Sequence, residues 1–551
     1  MNTHKLSPQE LELVKQSPIY PFCIDQAKEF VYQCRIKESE KGTVYLLEKI
    51  CRFIRVSKIL CSLDDDEIQL DLTFLTSFGL TKTVTVSRQD ITKKKFEVLT
   101  GKGINIHDKN CSSVLQYLNI SEAKAPVEYH HTKLGWYKDN DAWVYRHHIT
   151  VGSDVESIYS GNIDLCPKGS LAVWTDMVRQ EVIGQTALEL ILVAGFSSML
   201  IPRLKNVSGY ESLFLHMVGN SSTGKTTAEI LAISAFANPM TGGLIKKWTA
   251  TQNALMAAFD GNFGLPIVID ESSAAQIKDF TSFIYMFSQG HGRERAKSDG
   301  SLREAAQWGF TLISSGEARL PKNNNIGLDI RLLELCNIAF TDSAENADNI
   351  RRIASQNYGH AAIELAKHLT TISDSDLESE YWNLRKQLLD KMKENEDKFS
   401  QRTVNRITLL IQTACQVNDA LGLGLRVEEI AHLLIDIDCK QERDIGQKAL
   451  DAVEQYFTSH FSSFLSNQQT HQNHFTCGGI GTYKEIGNIL EIVILTQELR
   501  KILNSEEFTD LSVILSRWKE MGILDCEADR FTRKRKIGLI KATVYVLKIP
   551  K

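Results

Sequence analysis

Apolar positions in this chain form short, mostly apolar runs and longer stretches with helical spacing. The runs at residues 213–218, 264–269 and 310–313 are mostly apolar and predict buried strands, as in a parallel sheet. Residues 174–200 repeat apolar side chains with helical spacing, and they predict one long helix that ends before Pro202. Together the two patterns predict an α/β fold.

A glycine-containing loop follows the first run and has the pattern GxxxxGK[ST]. The strand before it and the helix predicted over residues 227–236 are the setting in which this pattern binds a nucleoside triphosphate. Backbone N–H groups would surround the phosphates, Lys225 would reach the β- and γ-phosphates, and Thr226 would bind Mg²⁺. The candidate nucleotide-binding residues are Gly219, Asn220, Ser221, Ser222, Thr223, Gly224, Lys225, Thr226 and Thr227.

The second apolar run ends in two acidic residues, which is the Walker B arrangement of a nucleotide hydrolase. Asp270 would hold Mg²⁺ through water, and Glu271 would polarise the attacking water. The alternative is a strand followed by an acidic turn. The P-loop upstream favours the hydrolase.

The third run ends in polar residues. ATPases of the AAA+ type place such a residue between the two Walker strands, where it orients the attacking water. Ser315 is the leading candidate, with Ser314 and Glu317 as alternatives. Asparagine is the more common residue at this position, and a plain polar strand end is the other interpretation.

Two arginines fit further roles in a ring ATPase. Arg331 stands where an arginine finger would reach the γ-phosphate of a neighbouring subunit; a salt bridge to Asp329 or Glu334 is the alternative. Arg402 begins a predicted helix, where a nucleotide-sensing arginine commonly lies. Arg406 is the second candidate for this sensing role, and the alternative interpretation is that Arg402 is simply solvent-exposed.

A basic segment at residues 289–303 lies between the second and third runs. Asp299 and Gly300 are a hairpin-turn pair, and a hairpin inserted here in a ring ATPase points into the central pore. Cations there would hold phosphates without reading the sequence. An exposed basic loop that pairs with nearby glutamates is the alternative. The candidate DNA-contacting residues are Lys297, Arg295 and His291.

The last 77 or so residues predict a helix, a second helix and strands around a basic turn at residues 530–538. This order resembles a winged helix, whose wing often meets a phosphate backbone. Winged helices also bind proteins, so that role stays open. The candidate DNA-contacting residues are Arg533, Lys534 and Arg535.

Composition and charge limit which kinds of partner and which cellular location the sequence predicts. The net charge of −5 does not mark the whole chain as a nucleic-acid binder, so local charge has to decide. Eleven cysteines without a CxxC pair predict reduced thiols. The N-terminus lacks the apolar core of a signal peptide, and the apolar stretch at residues 188–201 is too short for a bilayer. We therefore expect no membrane partner and a cytoplasmic location.

The predicted organisation has five parts, separated where the patterns change. They are an N-terminal accessory domain at 1–125, a strand-rich linker or collar at 126–189, a nucleotide-binding core at 190–365, a helical lid at 366–465 and a winged-helix domain at 475–551.

Several of these motifs together resemble a known family. The stretches are KWTATQNAL at 247–255, PIVIDE at 266–271, GHGRER at 290–295 and LISSGE at 312–317. They look like a helicase-like ATPase domain that was first catalogued in bacteria and phages as a domain of unknown function and is grouped with MCM-like AAA+ helicases. The whole chain is similar to the self-loading replicative helicases of staphylococcal mobile elements. The similarity is most specific over residues 130–420.

The resemblance implies an AAA+ P-loop ATPase core with a parallel sheet, an α/β N-terminal domain, a helical lid and a C-terminal winged helix. It implies an ATP- and Mg²⁺-dependent homo-hexamer that encircles single-stranded DNA and unwinds forked duplex to replicate a mobile element. Residues 401–404 are similar to the sensor-2 helix of that group, which supports Arg402. Ser315 departs from the usual asparagine. Residues 1–125 carry no recognised motif, and replication partners for them stay open.

Two other functions fit the same motifs. One is an ATP-dependent initiator, loader or defence switch that binds DNA without processive unwinding. The other is a structural assembly module that binds a nucleotide without hydrolysing it. The intact acidic pair Asp270 and Glu271 argues against the second.

Overall fold

The computed structural model forms two compact units. The first contains residues 1–134 and 139–162, and the second contains residues 135–138 and 163–551. The residues that the structure describes are 3–40, 42–277, 279–293, 295–296, 302–303, 305–320, 328, 331–394, 401–441, 445–466, 480–506, 508, 511–527, 530–537 and 540–550.

The first unit is built mainly from antiparallel strands and three short helices among its described residues. The strands are β1 (Thr3–Lys5), β2 (Phe22–Ile24), β3 (Phe30–Ser39), β4 (Gly42–Arg52), β5 (Ile54–Ser62), β6 (Ile68–Leu75), β7 (Thr81–Ser87), β8 (Val127–His131), β9 (Leu134–Asp139, which continues into the second unit), β10 (Ala142–Arg146), β11 (Thr150–Val151) and β12 (Ser157–Tyr159). The helices are α1 (Pro8–Lys15), α2 (Phe96–Gly101) and α3 (Cys111–Glu122).

Two sheets hold most strands of this unit, in the orders β1-β4-β3-β2 and β12-β8-β5-β6-β7, and β8 runs parallel to its neighbours β5 and β12. On β6, Leu70, Leu72 and Phe74 alternate with more exposed residues and are buried, because successive side chains of a strand point to opposite faces. Helix α3 covers that side, and the Tyr117 hydroxyl donates a 2.5 Å hydrogen bond to the carbonyl of Ile54. These residues give the unit its own core.

The second unit contains the remaining elements. Its helices are α4 (Leu171–Glu181), α5 (Thr186–Ser208), α6 (Lys225–Ser234), α7 (Gln252–Phe259), α8 (Phe280–Ser288), α9 (Ala344–Ala354), α10 (Ala361–Thr370), α11 (Asp374–Glu394), α12 (Gln401–Leu421), α13 (Val427–Gln441), α14 (Ile445–Ser459), α15 (Thr496–Ser505) and α16 (Leu511–Glu520). Its strands are β13 (Leu213–Val218), β14 (Ile245–Lys247), β15 (Asn262–Phe263), β16 (Ile267–Asp270), β17 (Arg295–Ala296), β18 (Leu302–Arg303), β19 (Thr311–Gly316), β20 (Leu332–Cys336), β21 (Phe464–Ser466), β22 (Gly481–Ile486), β23 (Ile489–Leu495), β24 (Arg533–Ile537) and β25 (Ile540–Pro550).

A parallel sheet in the order β14-β16-β19-β13-β20 lies at the centre of the second unit. The three mostly apolar runs contain or overlap its strands β13, β16 and β19, as the sequence predicted. β19 lies between the other two, which is the position expected for the third strand. Because the strands are parallel, the P-loop, the acidic pair and the end of β19 emerge at one edge.

Aromatic side chains fill the space under this sheet. Phe287 on α8 lies with its ring centroid within 5.4–5.7 Å of Phe214, Phe259 and Phe310, and it stacks on Trp308 at 6.2 Å. All five are buried. Edge-to-face and stacked pairs of this kind add to the free energy of burial, so α8 is fixed firmly to the sheet.

The prediction of one long helix that ends before Pro202 is wrong. The chain forms α4 and α5 instead, with Gly184 at φ +106° in the break. Helix α5 continues through Pro202, although proline lacks the N–H that a helix interior needs. The carbonyl that lacks an N–H partner because of Pro202 is that of Ser198, four residues earlier. Trp136 Nε1 donates a 2.8 Å hydrogen bond to the next carbonyl, that of Met199, and this tertiary contact is one that sequence periodicity does not reveal.

Helix α5, of 23 residues, is also the one described helix that is long and apolar enough to cross a membrane by length and composition. It extends beyond residues 188–201, the stretch that the sequence analysis considered too short for a bilayer. In the structure 94% of its most apolar window is buried inside the unit. Packing against the sheet and the lid helices accounts for its hydropathy.

Two ion pairs, each with one buried partner, join the helical segment to α5. Arg203 donates a 2.8 Å hydrogen bond to Asp374 and further bonds to the carbonyls of Leu369 and Ile372. Arg426 donates a 2.8 Å bond to Glu189, which is fully buried. Because removing one partner would leave a buried charge, these pairs hold the helices α11–α13 in a defined position.

Helix α14 packs with the C-terminal residues. Its Ala449, Leu450, Val453 and Phe457 share one core with α15, α16 and the sheet β21-β22-β23-β25-β24. Trp518 on α16 donates a 2.7 Å hydrogen bond to the carbonyl of Gly446. The sequence grouped this helix with the lid because its apolar spacing does not show which neighbour covers it.

The basic segment at 530–538 was predicted as a turn, and this is wrong. Residues 533–537 form strand β24, which pairs with β25 in an antiparallel ladder from Arg533 opposite Val544 to Ile537 opposite Ile540. Residues 533–536 are all basic, so the segment lacks the alternation of apolar and polar residues that predicts a strand. Because the segment is nevertheless a strand, its successive basic side chains point to opposite faces.

Phe287→Ala should lower the free energy of unfolding of the second unit by about 3–5 kcal/mol, since it leaves a cavity between four rings. Urea unfolding followed by tryptophan fluorescence would measure the loss. Met240→Ala is the control because Met240 lies in the same unit and is 62% exposed, and its effect should be within about 0.5 kcal/mol. Equal effects of the two substitutions would contradict the packing described.

Candidate nucleotide site and nucleic-acid interface

The P-loop wraps a space in front of α6. Lys225 is the first residue of α6, and its Nζ donates 2.7 Å hydrogen bonds to the carbonyls of Gly219 and Asn220. Gly224 adopts φ +85°, and a Cβ there would lie 2.6 Å from the Thr341 hydroxyl oxygen. Only glycine fits this position, so the loop is held in its curved form.

A cavity of about 550 Å³ opens at the P-loop edge of the sheet. It is lined by predicted site residues and by residues of the segment before and within α9. The lining residues are Ser221, Ser222, Thr223, Gly224, Lys225, Thr226, Thr227, Asp270, Glu271, Ser315, Gly316, Glu317, Thr341, Asp342, Ser343, Ala344, Ala347 and Arg351. Gly219 and Asn220 contribute their carbonyls to the loop without lining the cavity.

The ends of β16 and β19 are joined by one serine. Ser315 Oγ donates a 2.8 Å hydrogen bond to Asp270 Oδ1 and accepts one of 3.4 Å from the backbone N–H of Glu271. Glu271 has φ +65°, an uncommon value for a residue with a side chain, and its carboxylate accepts a hydrogen bond from the Ser273 hydroxyl. Strained backbone of this kind is found where a side chain must face a ligand.

The pleat of β19 separates the three candidates for the polar strand end. Ser314 is fully buried and bonds to the Trp248 indole N–H at 2.8 Å and to His216 Nδ1 at 3.1 Å. Ser315 points the other way and lines the cavity, as does Glu317. Ser314 is therefore remote from the cavity that Ser315 lines.

Glu229 is a site-adjacent residue that the motifs did not reveal. It lies on α6, is 1% exposed, and stands beside Asp270 and Ser315. Burial, and then the negative charge of Asp270, raise the pKa of Glu229 to about 8. Its carboxyl is therefore neutral at pH 7 and does not add a third negative charge under the acidic pair. A polar residue at an inward position of an amphipathic helix was the only signal in the sequence.

Helix α9 supplies a second set of missed residues. Ser343 caps its N-terminus by accepting a hydrogen bond of 3.1 Å from the N–H of Asn346, and this brings Thr341, Asp342 and Arg351 to the cavity. The backbone N–H of Phe340 also bonds to the carbonyl of Thr223 at 2.8 Å. No motif marks these residues, since only the pairing of β13 with β20 brings them close.

The side chains at this edge fit a magnesium nucleotide. Thr226 and Ser315 offer hydroxyl oxygens and Asp270 offers a carboxylate, which are the hard oxygen ligands that Mg²⁺ prefers. Lys225 and the N-terminus of α6 bring positive potential to the same side of the cavity. The polar lining and the glycine-dependent curve of the loop suit a polyphosphate.

Arg331 lies at the opposite edge of the sheet. Strand β20 begins at Leu332 opposite Phe214 and ends at Cys336 opposite Val218, where the P-loop starts. At about 3.3 Å per residue, the strand separates Arg331 from its own P-loop by about 16 Å. Its guanidinium carbon lies 4.7 Å from the ring centre of Tyr285 on α8. Arg331 does not line the cavity of its own chain.

The two candidate lid arginines, Arg402 and Arg406, differ in what the structure describes of them. Arg402 lies in the first turn of α12, and its side chain is outside the described part of the structure. Arg406 is 3% exposed and buried in the helical segment, away from the residues that line the cavity.

The basic hairpin is described only at its base. β17 and β18 pair from Arg295 opposite Arg303 to Ala296 opposite Leu302, which fits the predicted hairpin. His291 is exposed and bridges to Gln307 across the base. Lys297 and the side chain of Arg295 lie outside the described residues.

The basic residues of β24 fall on two faces. Arg533 donates a 2.8 Å hydrogen bond from Nε to Asp525, and Lys548 and Arg535 lie 3.1 Å and 3.8 Å from the same carboxylate. Burial favours the neutral acid, but the hydrogen bonds from Arg533 and Lys548 outweigh it and lower the pKa of Asp525. Lys534 is exposed and points to the other face. Arg533 is thus held within the domain, while Lys534 is presented to solvent.

Two family models match parts of this chain. A family model described as a domain of unknown function, DUF927, matches residues 22–307, and one described as the Cch helix turn helix domain matches residues 444–551. No curated protein matches the sequence.

Two solved structures are similar over most of the chain. One is described as SCCmec type IV Cch, active helicase; it has a TM-score of 0.77 and 24% identity, and the match covers 96% of this chain and 97% of that chain. It shares the fold. The other is described as the apo A form of the NrS-1 C-terminal region, with a TM-score of 0.30, 10% identity and coverage of 89% and 96%. Its low score supports no comparison of folds.

Ser315→Ala should lower kcat for ATP hydrolysis about tenfold or more, because it removes the hydrogen bond that orients Asp270 and the contact to the Glu271 backbone. Steady-state ATP turnover at saturating Mg²⁺ would measure this. Ser355→Ala, at the C-terminus of α9, is the matched control and should keep normal turnover. Turnover equal to that of the control would contradict a role for Ser315.

Lys534→Ala should weaken DNA binding and reduce the slope of log affinity against log salt by about 0.9, since an exposed cation that contacts a phosphate releases one counterion. Arg533→Ala should lower thermal stability because Asp525 loses its main partner. DNA titrations at several salt concentrations and a thermal melt separate the two effects. An unchanged slope in Lys534→Ala would exclude this residue from the interface.

Proposed function

This chain belongs to the DUF927 family, and from that membership and the geometry of its site we propose that it is an ATP-driven DNA helicase. The family match, the C-terminal Cch helix-turn-helix match and the full-length fold likeness confirm the resemblance to staphylococcal mobile-element helicases that the motifs predicted. The protein described as SCCmec type IV Cch is an active helicase, which supports the same activity here.

The main observation behind the proposal is the order of the strands in the parallel sheet. β19 stands between the P-loop strand β13 and the acidic strand β16, and its end residue Ser315 bonds to Asp270. A P-loop, an acidic pair and a polar residue brought to one edge in this order are the parts of an AAA+ ATPase. The oxygen-rich lining of the 550 Å³ cavity suits ATP and Mg²⁺.

Each side chain has a task in hydrolysis. Lys225 turns from the loop carbonyls towards the β- and γ-phosphates and offsets their charge. Thr226 and Asp270 would hold Mg²⁺, which when bound offsets negative charge on the phosphates. Glu271 accepts a proton from the attacking water. Ser315 holds Asp270 and orients that water. Glu229 stays neutral beneath them, so the negative charge remains on Asp270 and Glu271.

Arg331 supports a site that is shared between subunits. It lies at the far edge of the sheet and about 16 Å along β20 from its own P-loop, so it is placed to serve a neighbour. An arginine supplied in trans stabilises charge in the transition state. A closed homo-hexamer gives every site such a neighbour. Arg402, at the start of α12, is the proposed nucleotide sensor.

The DNA would pass through the ring. The basic hairpin at 291–303 lies between the acidic strand and the third strand, where Lys297, Arg295 and His291 would face the pore and hold phosphates. The C-terminal domain would add contacts through Lys534 and Arg535. The match to a helix-turn-helix domain supports a DNA-binding role for it.

The cellular role follows from these parts. We propose that the protein acts in the cytoplasm and unwinds single-stranded and forked DNA to replicate a mobile genetic element. The first unit has its own core and its own sheets, and it is the proposed site for replication partners.

Lys225→Ala should abolish ATP turnover, by about 100-fold or more, and strand displacement with it, because the phosphates lose their lysine. A fluorescent forked DNA substrate and a coupled ATPase assay would measure both. Lys367→Ala, an exposed lysine on α10, is the matched control and should stay active.

Strand displacement that survives Lys225→Ala would contradict the helicase. Nucleotide-dependent DNA binding without any displacement by the native chain would instead support the initiator, loader or switch. In Glu271→Gln, ATP should still bind while turnover disappears. Absence of turnover in the native chain would favour a structural module.

A further inference from the structure

We propose that Tyr285 positions the Arg331 guanidinium for the neighbouring subunit's nucleotide and links it to the basic hairpin. The inference rests on the proposed function, since it concerns the site that Arg331 completes. The observation behind it is the 4.7 Å distance from the guanidinium carbon of Arg331 to the centre of the Tyr285 ring.

The contact has the geometry of a cation–π interaction. A guanidinium within about 6 Å of a ring centre is attracted to the electron-rich face, and arginine stacks on such rings readily. Arg331 stands immediately before β20, whose first residue Leu332 is fully buried in the sheet. The backbone is therefore fixed on one side, and the ring directs the side chain.

Tyr285 is held on a rigid element. It lies on α8, half-buried, while Phe283, Ile284 and Phe287 on the other side of the helix are fully buried. Asp279 caps this helix by accepting a 2.9 Å hydrogen bond from the N–H of Ser282. A ring on such a helix is a fixed platform for the guanidinium, because the helix cannot rotate without disrupting the aromatic packing.

The same helix leads directly into the basic hairpin. Gly290 follows α8, and Trp308 donates a 2.8 Å backbone hydrogen bond to its carbonyl. The Trp308 indole N–H also bonds to the carbonyl of Phe287 at 3.0 Å, inside α8. The N–H of Gly292 closes the base on the carbonyl of Ala306 at 2.8 Å. Hairpin base and α8 are therefore bonded as one piece.

A functional link follows from this arrangement. A phosphate held by the cations of the hairpin would restrain the hairpin base and, through its hydrogen bonds, α8 and the Tyr285 ring. The guanidinium that rests on the ring is restrained with it. Tyr285 thus makes the presentation of Arg331 depend on DNA in the pore. Tyr285 acts through Arg331 and is a positioning residue.

The first experiment compares four variants in DNA-stimulated ATP hydrolysis: Tyr285→Leu, Tyr285→Phe, Arg331→Ala and the double variant Tyr285→Leu/Arg331→Ala. Tyr285→Leu should lower kcat by about 3- to 30-fold, the value of a cation–π contact in a partly buried site. KM for ATP should change by less than about twofold, since the ring is remote from its own chain's cavity. Tyr285→Phe keeps the ring and should retain most of the rate.

The double variant tests whether Tyr285 works through Arg331. Its kcat should equal that of Arg331→Ala, because without the guanidinium the ring has nothing to direct. Trp382→Leu removes a ring that lies 5.6 Å from Arg385 elsewhere in the second unit, and it controls for the loss of an exposed aromatic residue. Its turnover should be normal.

The second experiment uses mixed rings. Lys225→Ala protomers hydrolyse no ATP themselves but carry an intact Tyr285 and Arg331. Mixed with Tyr285→Leu protomers, they should restore turnover at the intact nucleotide sites beside them. Protomers that carry both Lys225→Ala and Tyr285→Leu should fail to do so.

The outcomes separate the inference from the function. If Arg331→Ala loses turnover while Tyr285→Leu keeps it, or if Leu and Phe at position 285 behave alike, the role of Tyr285 is overturned and the helicase stands. If Arg331→Ala keeps normal turnover, the shared site is overturned as well. A thermal melt of each variant shows that the second unit remains folded.

Discussion

One hydrogen bond between two strand ends organises the chemistry of this molecule. Ser315 Oγ lies 2.8 Å from Asp270 Oδ1, and this contact exists because β19 and β16 are neighbours in a parallel sheet. Parallel strands deliver their carboxyl ends to one edge, so the P-loop after β13 reaches the same place. The buried, neutral Glu229 beneath them leaves the negative charge where a cation can use it.

The sheet also separates Arg331 from the P-loop of the same chain. Arg331 lies at the edge of the sheet where β20 begins, and the P-loop lies at the opposite edge, where β13 ends. A residue at one edge cannot serve a nucleotide at the other within one chain. Under the proposed function a ring resolves this by setting the edge of one subunit against the cavity of the next. The aromatic packing around Phe287 keeps the two edges in fixed relation.

The pairing of the basic side chains, rather than their number, decides which of them are available to a partner. Arg533 and Arg535 on β24 and Lys548 on β25 converge on Asp525, and the pairing of Arg533 holds it within the domain while Lys534 stays exposed. Arg203 on α5 and Arg426 before α13 bind carboxylates or carbonyls and so join helices. Buried charges of this kind must be paired, so an arginine count overstates the surface that can meet DNA.

The sequence by itself determined the P-loop, the acidic pair and the three mostly apolar strands, because these are local patterns that can be recognised without knowing which residues they contact. It also placed Ser315 among three candidates. Tertiary structure alone separated Ser315 from the buried Ser314, because the pleat of β19 points them to opposite faces. It alone showed Glu229, the residues of α9, the passage of α5 through Pro202 and the pairing of Tyr285 with Arg331. Each of these depends on contacts between residues far apart in the chain, which no local pattern encodes.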